Sequence, residues 1–312
     1  MLVSVVVCGY TVDRTTALID CVESVLAQSY EPIEIVLVID GNESLAAAMA
    51  ERFEGENTVT IVENDTNRGI SYSRTEGARH GTGEIVAFID DDAVAEPDWI
   101  ERLVETYQST DAISVGGYVA PNWVRKKPAF FPEEFYWLVG CTERGFAEHG
   151  EEVRNTYGSN ISYRRDAFLA VGGYDINTGR KGDQHVQAHE APVGIRLREE
   201  FGRGMIYVED AVVHHTLFPY RGEFRWLVFR SFWQGFSKRV MDTLYPETYG
   251  NEQAYLRDLF VRYLPERVRR AVLGPSLTEG KQVAAILVFT AAVGLGYAYG
   301  MTKRDLRRQV EE

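Results

Sequence analysis

The chain has 312 residues, of which 45% are hydrophobic and 25% are charged. These values are typical of globular proteins and exclude a disordered or collagen-like chain. The formal net charge is −13, which argues against a nucleic-acid partner. Six lysines against 27 arginines favour a salt-adapted protein over an ordinary acidic cytosolic one. The length suits one α/β domain with an appendage.

The cysteine content indicates a reducing compartment. Cys8, Cys21 and Cys141 are odd in number and far apart in the sequence, which argues against both a disulfide framework and a zinc ribbon. The first residues lack the basic region that opens a secretory signal peptide. We therefore expect a protein that works from the cytosolic side.

The first half of the chain alternates predicted strands with predicted helices. Strands are predicted at residues 3–7, 33–40, 59–62 and 84–90, and helices at 16–29, 45–53 and 71–80 and from Pro97 onward. This succession predicts a mostly parallel sheet with helices on both faces. Ligands of such sheets bind at the carboxyl ends of the strands. From about Tyr118 the pattern is less regular.

The C-terminal part differs from the rest in charge and hydropathy. Residues 260–312 carry a net charge of +4, and residues 282–302 contain no charged side chain. That length can span a bilayer as a helix, although a buried helix of the soluble domain remains the alternative. Basic residues flank both ends, so either a crossing or an in-plane helix fits. Residues 223–241 combine aromatic and basic side chains, which suits a membrane interface or a core-packing helix.

Candidate chemistry is concentrated where predicted strands end. Asp90 and Asp92 point the same way from a strand, and two such carboxylates can hold a hard divalent cation. A solvated turn or a helix N-cap is the alternative. Asp40 alone would be a turn residue. Alone, the histidine pair at 214–215, expected just after a strand at 211–213, would be structural, and Glu190 alone would be a first-turn glutamate.

The order of these pieces resembles family 2 glycosyltransferases with the GT-A fold. The segments that carry the likeness are VSVVVCGYTVDR, SVLAQSYEPIEIVLVIDG, NRGISYSRTEGARHGTGEIVAFIDDDAVAEPDWIE, GSNISYRRDAFLAVGGYD and DAVVHH, which together cover about residues 1–217. The resemblance implies an inverting transfer of a sugar from a nucleoside diphosphate, most often UDP, with Mg²⁺ or Mn²⁺. A single displacement needs no covalent intermediate.

The resemblance also implies roles for particular residues. Five residues would bind the donor: Tyr10, Asp40, Arg74, Asp90 and Asp91. Asp40 would bond the base, Tyr10 would pack against the base, and Arg74 would help to hold the nucleotide. Asp90 would contact the ribose or the metal. Asp92 would bind the metal ion, and His215 would approach that ion or the diphosphate. Asn160 lies in the segment that lines the acceptor side. The family's catalytic base corresponds to Glu190, where Ala188-His189-Glu190 replaces the usual Gly-Glu-Asp. His189 is therefore the second candidate for the base.

The whole chain is similar to transferases that build dolichyl-phosphate-linked N-glycans for the S-layer proteins of halophilic archaea, including hexuronic acid transferases. This implies a dolichyl- or polyprenyl-phosphate-linked glycan acceptor, with Arg180 and Lys181 as candidate partners of a sugar carboxylate. We expect a catalytic domain at 1–217, an interfacial helical region at 218–281, a membrane helix at 282–302 and a basic tail at 303–312. The enzyme would act at the cell membrane, with its catalytic domain facing the cytoplasm.

Three other functions fit parts of the sequence. A catalytically silent nucleotide-sugar or glycan-binding protein would explain the changed base motif. A sugar-1-phosphate nucleotidyltransferase shares the sheet and the carboxylates, but the opening CGYTVDR lacks its glycine-rich loop. A polymerising synthase usually needs several spans and a Gln-x-x-Arg-Trp motif, and GEFRW at 222–226 lacks the glutamine.

Overall fold

The computed structural model describes residues 1–175, 190–244, 250–274 and 276–303. Its strands are β1 Val3–Gly9, β2 Ile33–Asp40, β3 Val59–Asn64, β4 Ile85–Asp90, β5 Ala93–Ala95, β6 Ser114–Trp123, β7 Glu152–Val153, β8 Ile161–Arg164 and β9 Met205–Leu217. Its α-helices are α1 Thr15–Leu26, α2 Glu43–Arg52, α3 Ile70–His80, α4 Trp99–Ser109, α5 Arg165–Ala170, α6 Glu190–Phe201, α7 Phe224–Leu244, α8 Gly250–Asp258, α9 Leu264–Leu273 and α10 Leu277–Met301. The described residues form two compact units, 1–122 with 147–175 and 190–216, and 123–146 with 217–303.

The first unit is built on one mixed sheet with the strand order β3-β2-β1-β4-β8-β6-β9-β5, and β7 pairs with β9. The pairs β2–β3, β1–β2 and β1–β4 are parallel, as the alternating pattern predicts. Beyond β4 the pairs β4–β8, β6–β8, β5–β9 and β7–β9 are antiparallel. The parallel half therefore carries the helical crossovers, and the antiparallel half closes the other side of the sheet.

Side-chain alternation divides the core of this unit into two layers. One layer packs one set of strand residues against α1, α2 and α4, and includes Val3, Val5, Val7, Ile35, Leu37, Ile39, Ile85, Ala87 and Ile89. The other packs the intervening residues with α3, α5 and α6, and includes Val6, Cys8, Val36, Val38, Val86 and Phe88. The unbroken apolar strands of the sequence follow from this burial on both faces.

The predicted elements of the first half are present, with shifted ends. Helix α4 begins at Trp99, whose backbone N–H donates to the Glu96 carbonyl, so Pro97 precedes the helix instead of opening it. The short strand expected at 211–213 is the middle of the 13-residue strand β9. The histidine pair at 214–215 therefore lies within a strand, because pairing with β5 extends β9 beyond its local apolar run.

The second unit contains α7 to α10 and the segment 123–146, which includes a 3₁₀ helix at Glu133–Val139. The segment falls inside the 1–217 range expected for the catalytic domain, yet it groups with the C-terminal helices. A π-helical turn, Leu259–Tyr263, leads directly into α9. Helix α10 includes most of the uncharged segment. In the described part of the chain it is the one helix that is long and apolar enough to cross a membrane.

Candidate active site

The candidate site lies at the carboxyl edge of the parallel strands. In the register of the sheet, Gly9 of β1 lies beside Ile39 of β2, and Cys8 lies beside Asp90 of β4. The ends of β1, β2 and β4 therefore meet at one edge, which is where ligands of parallel sheets bind. Asp40 and Asp90 are the last residues of β2 and β4.

Two carboxylates and one imidazole converge at this edge. Asp90, Asp92 and His215 each place one ligand atom within 4.8 Å of the others. Asp92 comes from the turn between β4 and β5, and the antiparallel pairing of β5 with β9 sets Ala93 opposite His215. The strand alternation that turns His215 inward turns His214 outward, where its ring contacts Glu96.

The donor set of this cluster suits a divalent cation. Carboxylate oxygens suit both Mg²⁺ and Mn²⁺, and imidazole is a common additional ligand of transition-metal ions. Asp92 Oδ1 and His215 Nε2 lie 3.6 Å apart, which is too long for a direct hydrogen bond. Asp90 has the most exposed side chain of the three carboxylates in the Asp90–Asp92 triplet, at 30%. The residues present therefore fit the ion that the resemblance implies.

Asp91 points to an arginine instead of joining the cluster. Arg14, which lies just before α1, contacts Asp91 Oδ1 at 3.0 Å and Asp92 Oδ2 at 3.3 Å. Burial raises the pKa of Asp91 to about 7, with a further increase from Asp92, and Arg14 opposes that rise. The contact of Asp91 is therefore with Arg14, which the sequence interpretation did not single out. The signal available in the sequence was electrostatic, because three adjacent aspartates require a counter-charge.

Arg74 forms an ion pair with one member of the cluster, Asp90. Its guanidinium is buried and donates to Asp90 Oδ1 at 2.6 Å and to the Gly158 carbonyl at 2.9 Å. Its charge also lies over the rings of Tyr174 and Phe88. In this position Arg74 fixes the carboxylate of Asp90, so its effect on a nucleotide would pass through that residue.

Asp40 is buried and organises a loop. Its two carboxylate oxygens accept hydrogen bonds from the Asn64 side chain and from the backbone N–H groups of Arg68 and Gly69, at 2.8 to 2.9 Å. Tyr10, at the end of β1, is 50% exposed, so its ring is accessible at this edge. The contact of Asp40 with a base remains a prediction.

Asn160 has a different place from the one the resemblance implied. It is completely buried. Its amide accepts a hydrogen bond from Trp99 Nε1 at 2.8 Å and donates to the carbonyls of Tyr118 and Ala211. An amide enclosed in this way cannot contact an acceptor, and it joins α4, β6 and β9 instead.

The candidate base sits at the start of a helix. Glu190 is the first residue of α6, and Val193 and Leu197 of that helix pack into the core. The side chain of Glu190 lies outside the described part of the chain, as do His189, Arg180 and Lys181. The buried Cys8 has a pKa raised by desolvation, so it stays a neutral thiol and is unsuited to nucleophilic attack.

A parallel half-sheet with an Asp-x-Asp pair at its edge defines a class of protein, the nucleotide-sugar transferases of the GT-A fold. The family model described as "Glycosyl transferase family 2" matches residues 4–172, more than half of the chain. The chain therefore belongs to glycosyl transferase family 2. The family and the class of enzyme predicted from the sequence are confirmed, and the nucleotidyltransferase alternative is wrong.

The chain is similar along its full length to one protein of Haloferax volcanii. That protein, the glucosyl-dolichyl phosphate glucuronosyltransferase, is 61% identical over 307 residues, which cover 98% of each chain. Two solved structures share the fold at lower identity. The mannosyltransferase PcManGT from Pyrobaculum calidifontis, in complex with GDP-Man and Mn²⁺, has a TM-score of 0.54 and 21% identity, and the match covers 99% of this chain and 85% of that one. S. aureus TarS 1-349, in complex with UDP-GlcNAc, has a TM-score of 0.53 and 15% identity, with 100% and 89% covered.

Proposed function

We propose that this protein transfers a hexuronic acid, glucuronic acid, from a nucleoside diphosphate donor to a glucosyl-dolichyl phosphate acceptor. The observation that carries the proposal is the 61% identity to the glucosyl-dolichyl phosphate glucuronosyltransferase over 98% of both chains. The product would enter the assembly of a lipid-linked N-glycan for S-layer proteins. The geometry at the sheet edge supports the use of a nucleotide sugar.

The donor we propose is a UDP-sugar with Mn²⁺ or Mg²⁺. Two proteins of this fold bind sugar nucleotides, GDP-Man with Mn²⁺ in one and UDP-GlcNAc in the other. Asp40 and Tyr10 would face the base, and we assign Arg180 and Lys181 to the sugar carboxylate. Replacing Arg180 by Met should lower kcat/KM for the glucuronic acid donor more than for the neutral glucose donor. An unchanged ratio of the two values would withdraw that assignment.

The residues of the site divide the chemistry between them. Asp90, Asp92 and His215 would hold the divalent ion, which when bound neutralises charge on the departing nucleoside diphosphate. Arg74 holds the Asp90 carboxylate, and Arg14 holds those of Asp91 and Asp92. Glu190 would accept the proton of the acceptor hydroxyl as that oxygen attacks the anomeric carbon. The anomeric carbon–diphosphate bond breaks in the same step, so the configuration inverts.

The enzyme would work at the inner surface of the cell membrane. The dolichyl chain of the acceptor is confined to the bilayer, and the apolar helix α10 can contact lipid. A highly charged nucleotide sugar does not cross the bilayer, so the catalytic residues would face the cytoplasm. We assign catalysis to residues 1–217, membrane association to 218–281 and 282–302, and a basic tail to 303–312.

A transfer assay tests the reaction. Membranes that contain the protein are given UDP-glucuronic acid, UDP-glucose or GDP-mannose with glucosyl-dolichyl phosphate, and the lipid is read by mass spectrometry. We expect a mass gain with the glucuronic acid donor that EDTA abolishes and Mn²⁺ restores. Asp92→Asn should abolish transfer, whereas Asp111→Asn, an exposed aspartate of the same unit, should not. Donor binding without transfer from any donor would instead identify a silent binding protein.

The base is tested by separate substitutions. Glu190→Gln should lower kcat by about 10² to 10⁴-fold, the usual contribution of a general base, while His189→Gln keeps most of it. Binding of UDP, the nucleotide part of the donor, is measured by calorimetry and should be the same in both variants. The reverse pattern of kcat values would transfer the role of base to His189.

A further inference from the structure

Helix α10 has two different faces along its whole length. One face is buried within the second unit and recurs once in each helical turn: Gln282, Ala285, Ile286, Phe289, Ala292, Gly296 and Gly300. The other face is exposed and equally apolar, and includes Ala284, Leu287, Val288, Ala291, Leu295 and Ala298. An exposed apolar face of this length is unfavourable in water and indicates an apolar partner.

The buried face is joined closely to α7. A Cβ atom on Gly296 would lie 1.8 Å from the Phe232 carbonyl oxygen, and one on Gly235 would lie 2.0 Å from that of Val293. Backbones in such contact require glycine, as in other tightly packed helix pairs. The two helices therefore behave as one body.

The two helices run in the same direction and side by side. Near the start of α7, Phe224 packs against Phe289 with ring centroids 5.7 Å apart. Near its end, Arg239 lies against Gly300. Most of α7 therefore lies alongside residues 289–300 of α10. Charged residues occur throughout this stretch of α7: Arg225, Arg230, Lys238, Arg239 and Asp242.

The start of the uncharged segment is also fixed to polar groups. Gln282 accepts a hydrogen bond from Arg267 and donates to the Ala129 carbonyl at 3.1 Å. Arg267 in turn pairs with the fully buried Glu134 at 2.8 Å and with Glu279 at 3.2 Å. Residues 282–302 therefore pack against charged protein at both ends of the helix.

These contacts decide between the two ways in which α10 could meet a membrane. If α10 crossed the bilayer, α7 and the ion pairs around Glu134 would be drawn into the hydrocarbon with it. Charged side chains at that depth are costly unless they face a bundle interior or a water-filled cavity, and Arg225 is exposed. If α10 lies along the surface, its exposed face enters the lipid and its buried face stays with the protein.

A second surface of the same unit has the pattern of an interfacial helix. Along the π-helical turn and α9, the exposed residues Val261, Pro265, Val268 and Val272 recur at intervals of three or four and form a stripe. Arg262 and Arg269 border the stripe and are also exposed. An apolar stripe edged by arginines suits a bilayer with anionic headgroups, in contrast to the acidic remainder of the chain.

We propose that α10 does not cross the bilayer, and that its exposed face and the stripe of α9 dock in the plane of a membrane with anionic headgroups. This inference is independent of the transfer reaction. It fixes the mode of membrane association, which the transfer assay does not measure.

Cysteine labelling tests the topology. Gly280→Cys places an exposed thiol just before the uncharged segment, and Thr302→Cys places one at its last residue. The native cysteines are buried and serve as the background. A membrane-impermeant maleimide is applied to right-side-out and to inverted vesicles. We expect both new cysteines to react in the same vesicle orientation and neither in the other. Reaction from opposite sides would show that α10 spans the bilayer and would overturn the proposal.

Vesicle flotation tests the docking surface. The double variant Val268→Glu/Leu295→Glu should float with phosphatidylglycerol–phosphatidylcholine vesicles about tenfold less than the unaltered chain. The reason is that it lacks two apolar side chains that enter the lipid on docking. Ala50→Glu, an exposed helical position of the first unit, should float normally. Equal flotation of the double variant would contradict the assigned surface. Neither experiment needs a donor sugar, so its failure is distinguishable from failure of transfer.

Discussion

At the scale of single residues, the site must accommodate the electrostatic repulsion among three adjacent aspartates. Asp90, Asp91 and Asp92 are adjacent, and the pKa of Asp91 is raised by burial and by the charges of the other two. Arg14 contacts the second and third of them, and Arg74 contacts the first. The two arginines therefore hold the three carboxylates in place and offset part of their mutual repulsion before any cation binds.

Removing the charge of Arg14 should affect both stability and turnover. Arg14→Met leaves Asp91 and Asp92 without that partner, so we expect a loss of about 1–3 kcal/mol in the free energy of unfolding and a lower kcat. Arg14→Lys keeps the charge and should recover part of both. Denaturant unfolding and the transfer assay measure the two effects. Normal kcat in Arg14→Met would show that Arg14 serves stability alone.

Asn160 should prove important for folding and unimportant for acceptor binding. Asn160→Ala removes three buried hydrogen bonds, the one that Trp99 Nε1 donates and the two that the carbonyls of Tyr118 and Ala211 accept. We expect a loss of about 2–4 kcal/mol in the free energy of unfolding and an unchanged KM for the lipid acceptor. Asn57→Ala, at an exposed turn, is the control. A raised acceptor KM at full stability would restore the acceptor role.

At the scale of elements, small residues determine how closely helices approach. Gly296 faces the backbone of α7, whereas a Cβ atom added at Gly294, two residues earlier in α10, would meet open space. The same residue type therefore occurs in one helix for different reasons. Only the first position is required by the packing of the second unit.

This contrast gives a paired prediction. Gly296→Ala should destabilise the protein by about 1–3 kcal/mol, because the added methyl group overlaps the Phe232 carbonyl. Gly294→Ala should stabilise it by about 0.5–1 kcal/mol through helix propensity. Thermal unfolding in one detergent measures both variants. Equal shifts of the two would contradict the close contact of α7 and α10.

At the scale of the whole molecule, the acidic surface sets the response to salt. A net charge of −13 destabilises the compact state through self-repulsion when it is not screened. The Debye length is about 3 Å in 1 M salt and about 10 Å in 0.1 M salt. The scarcity of lysine agrees with a protein that folds in concentrated salt.

We expect the unfolding temperature to fall by several degrees as KCl is lowered from 1 M to 0.1 M. Choline chloride should restore it to the same extent, because screening does not depend on the identity of the cation. Differential scanning fluorimetry across the two salt series provides the measurement. An unfolding temperature that stays constant in KCl would show that the protein is not adapted to concentrated salt.

The sequence by itself determined the features that depend on neighbouring residues. Unbroken β-branched runs predicted the buried parallel strands, helical patterns predicted α1 to α3, and the mix of aromatic and basic residues indicated α7. Strand alternation placed Asp90 and Asp92 on one side, and ordered motifs identified the family. Each of these signals lies within a few residues of chain, where hydrophobic periodicity and side-chain direction are local properties.

Only the tertiary structure decided which distant residues meet. The resemblance assigned Asp92 and His215 to one site, and the structure supplies the cause, the pairing of β5 with β9. The contact of Arg14 with Asp91, 77 residues away, is visible only in the fold. The enclosure of Asn160 and the two faces of α10 likewise depend on contacts with remote segments. Local patterns predict whether a side chain is buried or exposed. Strand order and helix packing determine which side chain it contacts, because they depend on the arrangement of the whole chain.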